Sequence, residues 1–296
     1  MIIALLLLLL LAYGLTPRGT LLHEALHLPP FWLSAVFSRT PKARAERQQY
    51  GPHPQQYYLL CPASSGAIQP LRLLFYFHGG SWRWGKPDYF TAHARFFNEL
   101  GYTVVLPSYR RCPKHDYTHI REDLRAVTLH AFAEMDKRGQ PVELALSGGM
   151  SAGGHLAAML ALSPNGESAG RDIRGFFALG APLCLADMPE SFALRDLAGP
   201  RTGSLFAEAD PCCSAQMQPH KPALIVHGTH DGMVPCNSTR QFARQRQEAS
   251  PATTFVKINS GTHLSVAAWI FRQGKTRQAI KAWLQKQATS SASSSV

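Results

Sequence analysis

The chain has 296 residues, 45% of them hydrophobic, with 30 Lys and Arg against 19 Asp and Glu for a formal net charge of +11. That is enough apolar residue for one sizeable core, and the length suits a single large α/β unit. The basic residues are scattered (Arg44, Arg83, Arg110, Arg121, Arg174, Arg201, Arg244, Arg272) with no dense stripe interleaved with aromatics. That argues against a nucleic-acid surface and leaves a mild attraction to anionic lipid.

Residues 1–15 are almost wholly apolar, too short for a comfortable span but long enough for a signal-peptide core. Ala12 and Gly14 make a small-residue cleavage site, while the lack of Lys or Arg before the run favours an uncleaved anchor. Both readings stay open, and both predict an exported (periplasmic or secreted) or membrane-anchored protein. Residues 16–49 read as an amphipathic and basic linker outside the globular core. Its apolar residues, among them Leu21, Leu22, Trp32, Leu33 and Phe37, suit a lipid surface. Within it, His23-Glu24-Ala25-Leu26-His27 has the spacing of a zinc-peptidase helix, with Glu24 placed to activate a metal-bound water. Three fixed positions in five arise readily by chance in a His-rich chain. Pro29 and Pro30 are expected to stop the helix at once. A zinc peptidase is therefore a remote alternative, and no metal site is assigned.

The domain is expected over 50–287. Tyr57–Cys61 reads as a first edge strand. Leu71–Phe77 reads as a strand covered on both faces, running into His78-Gly79-Gly80-Ser81-Trp82. Two glycines after a buried strand expose backbone N–H groups, the chemistry of an oxyanion hole. Next come a helix from Ala92 to Leu100, a strand at Tyr102–Leu106, and a long amphipathic helix from Tyr117 to Lys137. Val142–Leu146 reads as a buried strand and Ala157–Leu162 as a buried helix. Between them lies Gly149-Met150-Ser151-Ala152-Gly153, where a serine on a sharp strand-to-helix turn needs glycine-sized neighbours. A short strand is expected near residues 175–180, followed by an irregular cap over 183–220. Strands at Pro222–Val226 and Thr253–Ile258 flank a helix from Thr239 to Glu248. A last helix ends near Gln287, and 288–296 reads as a disordered Ser-rich tail. The alternation argues for an α/β fold, a mostly parallel sheet with helices on both faces.

Ser151, Asp231 and His263 each follow a predicted strand, so a parallel sheet brings them to one edge. The chemistry needs each type. A neutral imidazole takes the proton of a weakly nucleophilic hydroxyl, and a buried carboxylate sets its tautomer and steadies its charge. Backbone N–H groups of Gly79, Gly80, Ser81 and Ala152 are the candidates for holding the oxyanion. Asp210 is a weaker acid candidate because it precedes its strand. His155, His227 and His230 read as structural, and Trp82 and Trp84 as either an acyl pocket or packing for the oxyanion loop.

Six cysteines (Cys61, Cys112, Cys184, Cys212, Cys213, Cys236) include no C-x-x-C pair, which argues against a zinc ribbon or thioredoxin-type site. Adjacent Cys212 and Cys213 do not bond each other without strain. The sequence leaves open one to three disulfides in an exported chain, or reduced thiols otherwise.

Taken together, His78-Gly-Gly-Ser-Trp82, Pro107-Ser-Tyr109-Arg110, Gly149-Met-Ser-Ala-Gly153 with Gly154-His155, His227-Gly-Thr-His-Asp231 with Val234-Pro235, and Gly261-Thr-His263 resemble the α/β-hydrolase superfamily. The resemblance is strongest to its esterase/lipase branch with an H-G-G-x-W oxyanion motif, where hormone-sensitive-lipase-like and kynurenine-formamidase-like enzymes lie. It implies Ser151 as nucleophile, His263 as base, Asp231 as orienter, and His78 as a shaper of the oxyanion loop. It also implies a carboxylic ester hydrolase working through an acyl-enzyme. An arylformamidase-like amide hydrolase is the alternative, left open by Trp82, which matches the formamidase-like variant. Ser81 stands where lipase loops carry a third glycine, which keeps the backbone donor and narrows the substrate's room near the loop. No cofactor is implied. The expected partners are a small-molecule ester or amide and, through the N-terminal segment, a membrane.

Overall fold

The computed structural model describes residues 14–37, 40–63, 71–163, 168–215, 218, 220–249 and 251–293. Eight strands form one sheet: β1 (Glu46–Gln49), β2 (Tyr57–Cys61), β3 (Leu71–Phe77), β4 (Tyr102–Pro107), β5 (Val142–Met150), β6 (Phe176–Leu179), β7 (Ala223–Gly228) and β8 (Thr253–Ile258). Their spatial order is β1-β2-β4-β3-β5-β6-β7-β8. β1 and β2 run antiparallel, and every pairing from β3/β4 to β7/β8 is parallel. The central strands are buried on both faces, which is why they read as continuous apolar runs rather than alternating ones.

Helices cover the two faces: α1 (Leu21–Phe37), α2 (Thr91–Glu99), α3 (Tyr117–Lys137), α4 (Ala152–Leu162), the short cap helices α5 (Phe192–Ala198), α6 (Ser204–Ala209) and α7 (Pro211–Ala215), then α8 (Cys236–Ala249), α9 (His263–Ala267) and α10 (Lys275–Ser293). One core, on the α3 and α4 side, is built from Phe75, Phe77, Leu124, Leu156 and Ile225. The other, under α2 and α10, uses Phe97, Tyr76, Phe177, Trp269 and Trp283. In the cap, a disulfide joins Cys184 to Cys212 across 5.1 Å between Cα atoms.

Four expectations change. The sheet starts at Glu46, inside the stretch read as linker, so Tyr57–Cys61 is an interior strand. Its polar sequence Glu-Arg-Gln-Gln suits a half-exposed edge, where Arg47 stacks 3.5 Å over the Tyr57 ring and Glu46 meets Arg138 at 2.8 Å. Residues 21–37 form a helix that passes straight through Pro29 and Pro30. Contacts on either side hold it across the missing N–H groups: Glu24 before the prolines, and after them Phe31 against Phe271 and Ser34 against Arg272. That helix therefore packs on the domain instead of standing outside it. The last helix reaches Ser293, since nothing between Lys275 and Ser293 is Gly or Pro, and Ser290 Oγ donates back to the Lys286 carbonyl at 3.0 Å. The apolar leader at 1–15 lies almost wholly outside the described residues.

Candidate active site

β5 ends at Met150 and α4 begins at Ala152, so Ser151 alone makes the turn, at φ 56° and ψ −127°. A non-glycine residue there costs roughly 1–3 kcal/mol, kept only when the surroundings dictate it. Here they do. The Ser151 N–H donates to the Leu179 carbonyl at 2.8 Å, and the Ser151 carbonyl accepts from Gly154 and His155. A Cβ on Gly153 would lie 2.1 Å from the Phe77 carbonyl oxygen, so the start of α4 sits directly against the end of β3.

Asp231 and His263 follow β7 and β8 at the same edge. His263 Nδ1 donates to Asp231 Oδ2 at 2.8 Å, and both side chains are buried. Asp231 Oδ1 accepts from the N–H groups of Met233 and Val234 at 2.9 and 2.8 Å, which pins the carboxylate in its own turn. The pair faces the end of β6: a Cβ placed on Gly180 would lie 3.3 Å from Asp231 Oδ2, 3.3 Å from His263 Nδ1 and 3.2 Å from Met150 Cε. The acid, the imidazole and the residue before the serine turn thus meet around one glycine. With the Nδ1 proton committed to Asp231, the neutral ring leaves Nε2 as its basic atom.

Burial alone disfavours charge on both groups. At Asp231 it is outweighed by the His263 charge and hydrogen bond, by His227 and by the Val234 N–H, so the carboxyl lies below the usual range. At His263 burial is outweighed by Asp231 and then Glu24, so the imidazole lies above its ordinary 6.5. As the base expected from the sequence, His263 works deprotonated, so on that reading a raised pKa delays activity as pH rises. The acid limb of kcat/KM for a short-chain aryl ester is expected to have its midpoint above pH 6.5; a midpoint at or below that value contradicts the arrangement.

The loop after β3 supplies donors. Gly80, Ser81 and Trp82 all have positive φ, at 124°, 51° and 57°. The Gly80 carbonyl accepts from Arg83 and Trp84, closing the turn. Among the described residues the Gly80 and Ser81 N–H groups meet no acceptor. Gly79 is there for space: a Cβ on it would lie 2.9 Å from the Met150 carbonyl and 3.3 Å from Ser151 Cβ. Ala152 opens α4, where the first N–H groups have no partner within the helix.

The loop is braced from behind. Trp82 Nε1 donates to His155 Nδ1 at 3.2 Å, and His155 Nε2 reaches the Ala209 carbonyl at 2.7 Å. An indole can only donate, so His155 is neutral with its proton on Nε2. Burial, lowering its pKa to about 4, agrees. Trp82 is therefore a strut for the loop after β3, while Trp84 is exposed. His78 stacks on Tyr109 at 4.9 Å between ring centres and bonds the Gly79 carbonyl, a shaping role. His227 Nε2 bonds the Val234 carbonyl at 2.9 Å inside the acid turn. Asp210 accepts from the N–H groups of Leu185, Ala186 and Cys212, so it organises the cap and leaves Asp231 as the acid facing His263. A cavity of about 720 Å³ opens in the cap between Ser191, Phe192, Leu194, Pro200 and Phe206, but its lining includes none of Ser151, Asp231 and His263.

Glu24 is the residue whose place the sequence hid. It is 4% exposed, and its carboxylate accepts from the N–H groups of Gly232, His263 and Leu264. This corrects the zinc-peptidase reading of His23, Glu24 and His27: the carboxylate that would activate a metal-bound water is bonded to backbone N–H groups instead. Nothing in the residues around Glu24, which lies between His23 and His27, points to these distant partners.

Relatives point the same way. Probable carboxylic ester hydrolase LipM and esterase LipQ, both of Mycobacterium tuberculosis, are 28% and 27% identical to this chain over 198 and 227 residues, or 60% and 70% of its length. The chain spans about half the length of these relatives, 45% and 53%. Among solved structures, esterase B of Lactobacillus rhamnosis, inhibited by a tributyrin phosphonate, superposes with a TM-score of 0.75 at 18% identity, covering 92% of this chain and 94% of that one. A carbohydrate esterase from gut microbiota superposes at 0.72 with 14% identity, covering 85% and 99%. Likeness at such identities is likeness of fold. The sequence pattern of the alpha/beta hydrolase fold family matches residues 74–267, well over half the chain. With that match and this strand order, the chain belongs to the α/β-hydrolase fold family.

Proposed function

We propose that this protein hydrolyses carboxylic esters of small molecules, with Ser151 as nucleophile, His263 as general base and acid, and Asp231 as its orienter. The observation carrying the reading is the buried Asp231–His263 hydrogen bond at the sheet edge where Ser151 makes its strained turn. The substrate carbonyl sits over Ser151 with its oxygen toward the Gly80, Ser81 and Ala152 N–H groups. His263 Nε2 takes the hydroxyl proton as Oγ attacks, and the oxyanion is met by donors already oriented for it. The same proton then passes to the departing alkoxide, leaving an acyl-enzyme. Water repeats the sequence, activated by His263, and releases the acid. No step needs a cofactor.

An ester is preferred to an amide because the named relatives are ester hydrolases. Turnover of an aryl ester should exceed that of the matched N-acyl or N-formyl aromatic amine in a panel with Ser151→Ala as blank. Faster turnover of the amide would move the assignment to the arylformamidase-like alternative.

We also infer that the protein is exported or tethered and rests α1 on a lipid surface. The apolar sequence at 1–15 and the Cys184–Cys212 disulfide support the first. The outer face of α1 supports the second, since Leu21, Leu22, Leu28, Trp32, Leu33 and Phe37 are all exposed. Among the described residues no helix is long and apolar enough to cross a membrane. Co-sedimentation with vesicles of mixed neutral and anionic lipid should fall at least about tenfold in the double variant Trp32→Glu, Leu33→Glu. Equal sedimentation of both proteins contradicts a docking role for α1.

A further inference from the structure

Two loops carry the working pair, and they are joined by a residue more than two hundred positions away. Glu24 Oε1 accepts from the Gly232 N–H at 3.0 Å and from the His263 N–H at 2.6 Å, while Oε2 accepts from the Leu264 N–H at 3.2 Å. Gly232 directly follows Asp231, and His263 is the imidazole bearer itself. The carboxylate thus bonds one side of the acid turn and the first two residues of α9 at once. The contact is tight on the other side as well. A Cβ on Gly232 would lie 2.2 Å from the Thr20 carbonyl oxygen, so the acid turn rests on the start of α1. Thr20 in turn holds that start, its hydroxyl accepting from the His23 N–H and its carbonyl from the Glu24 N–H.

A buried carboxylate with three N–H partners is a strong, directional brace, because each bond is charge-assisted. The bonds within each loop are local: Asp231 with Met233 and Val234, and Thr262 with Ser265. They shape each turn but do not set the distance between the two. The distance is set by neutral bonds (the His230 N–H to the Gly261 carbonyl at 2.8 Å, the Thr229 N–H to the Ile258 carbonyl at 3.0 Å and the Ser260 N–H to Thr229 Oγ1 at 2.9 Å), by the Asp231–His263 bond itself, and by Glu24. Besides the working pair, Glu24 is the link among these that carries charge.

We propose that Glu24 is a positioning residue of the active site: it holds the Asp231 and His263 loops in register, and its negative charge adds to that of Asp231 beside the imidazole. The proposal rests on the triad reading above. It makes α1, a helix that also presents an apolar face outward, a structural part of the reaction centre.

The charged and titratable groups around His263 are Asp231 and His230 from the acid turn, His227 from β7, and His23, Glu24 and His27 from α1. Only Asp231 and Glu24 are negative. Removing the Glu24 charge should therefore lower the His263 pKa, in keeping with the upward contribution that Glu24 makes to it.

The test uses the full chain and two substitutions. Glu24→Gln keeps an oxygen acceptor at the same reach without the charge, and Glu24→Ala removes both. In Glu24→Ala, kcat for a short-chain aryl ester should fall by about 10²-fold with KM within about twofold, the cost of a misplaced catalytic group. In Glu24→Gln, kcat at high pH should stay within about tenfold of wild type, and the acid limb of kcat/KM should move to lower pH. A merely structural role would not move that limb. If Glu24→Ala does not fold, the limb in Glu24→Gln decides. Folded variants with wild-type kcat and an unmoved limb overturn the role of Glu24 while leaving the triad standing. Wild-type protein that neither turns over the ester nor reacts with a fluorophosphonate at Ser151 overturns the triad, and this proposal with it.

Discussion

Ser151→Ala is expected to lower kcat for a short-chain aryl ester by about 10⁵–10⁶-fold, the scale on which removal of a triad nucleophile acts. The loss should fall on kcat, with KM little changed, because the hydroxyl acts on the reacting carbon and adds little to ground-state binding. The fold should survive. Ser151 Oγ makes no described hydrogen bond, and the turn is held by the Ser151 N–H to the Leu179 carbonyl and by Gly153 against Phe77, none of which alanine disturbs. A thermal midpoint close to wild type is the matching control. Some catalysis above the uncatalysed rate should persist, since the Gly80, Ser81 and Ala152 N–H groups still polarise a bound carbonyl.

Asp231→Asn is expected to cost about 10⁴-fold in kcat at neutral pH. The reason is in the three bonds the carboxylate accepts. The amide oxygen of the substituted side chain can keep those from Met233 and Val234, so the turn holds its shape. That orientation points the amide NH₂ at His263 Nδ1, where the carboxylate oxygen now sits at 2.8 Å. Nδ1 must then accept, and the ring proton moves to Nε2, the atom that has to receive the serine proton. The geometry survives and the tautomer is wrong. The pKa of His263 should fall too, since Asp231 is the larger of the two carboxylate influences that raise it. A variant with kcat within tenfold of wild type and an unmoved acid limb would show that Asp231 does not orient the base.

Much of the fold was legible because the central strands are covered on both faces. Leu71–Phe77, Ala223–Gly228 and the run into Ser151 are apolar stretches ended by Gly or Pro, and such runs have few alternatives once helices alternate with them. The three residues of the proposed triad were legible for a related reason: in a parallel sheet every strand end lies at one edge, so order along the chain is enough to predict convergence. β1 escaped because an edge strand of Glu-Arg-Gln-Gln carries no apolar pattern and is defined by its partner β2. α1 escaped because local rules and tertiary contacts disagreed. Two prolines argue for a stop, and only the docked side chains keep the helix going past them. Glu24 escaped for a stronger reason. A carboxylate that meets backbone N–H groups at 232, 263 and 264 leaves no trace in any window of neighbouring residues. The Trp82–His155 strut lies between: both residues stood in recognisable motifs, and only the fold showed that the indole and the imidazole meet.

The central claim is that Ser151 is a hydroxyl made reactive by the His263–Asp231 pair. The most direct measurement is the intact mass of the protein, and of its peptides, after exposure to a fluorophosphonate. The account predicts one phosphonyl group per chain, on Ser151, with no adduct in Ser151→Ala and adduct formation slowed at least about 10³-fold in His263→Ala. An adduct on another residue, or labelling of Ser151 at an unchanged rate without the imidazole, would contradict it.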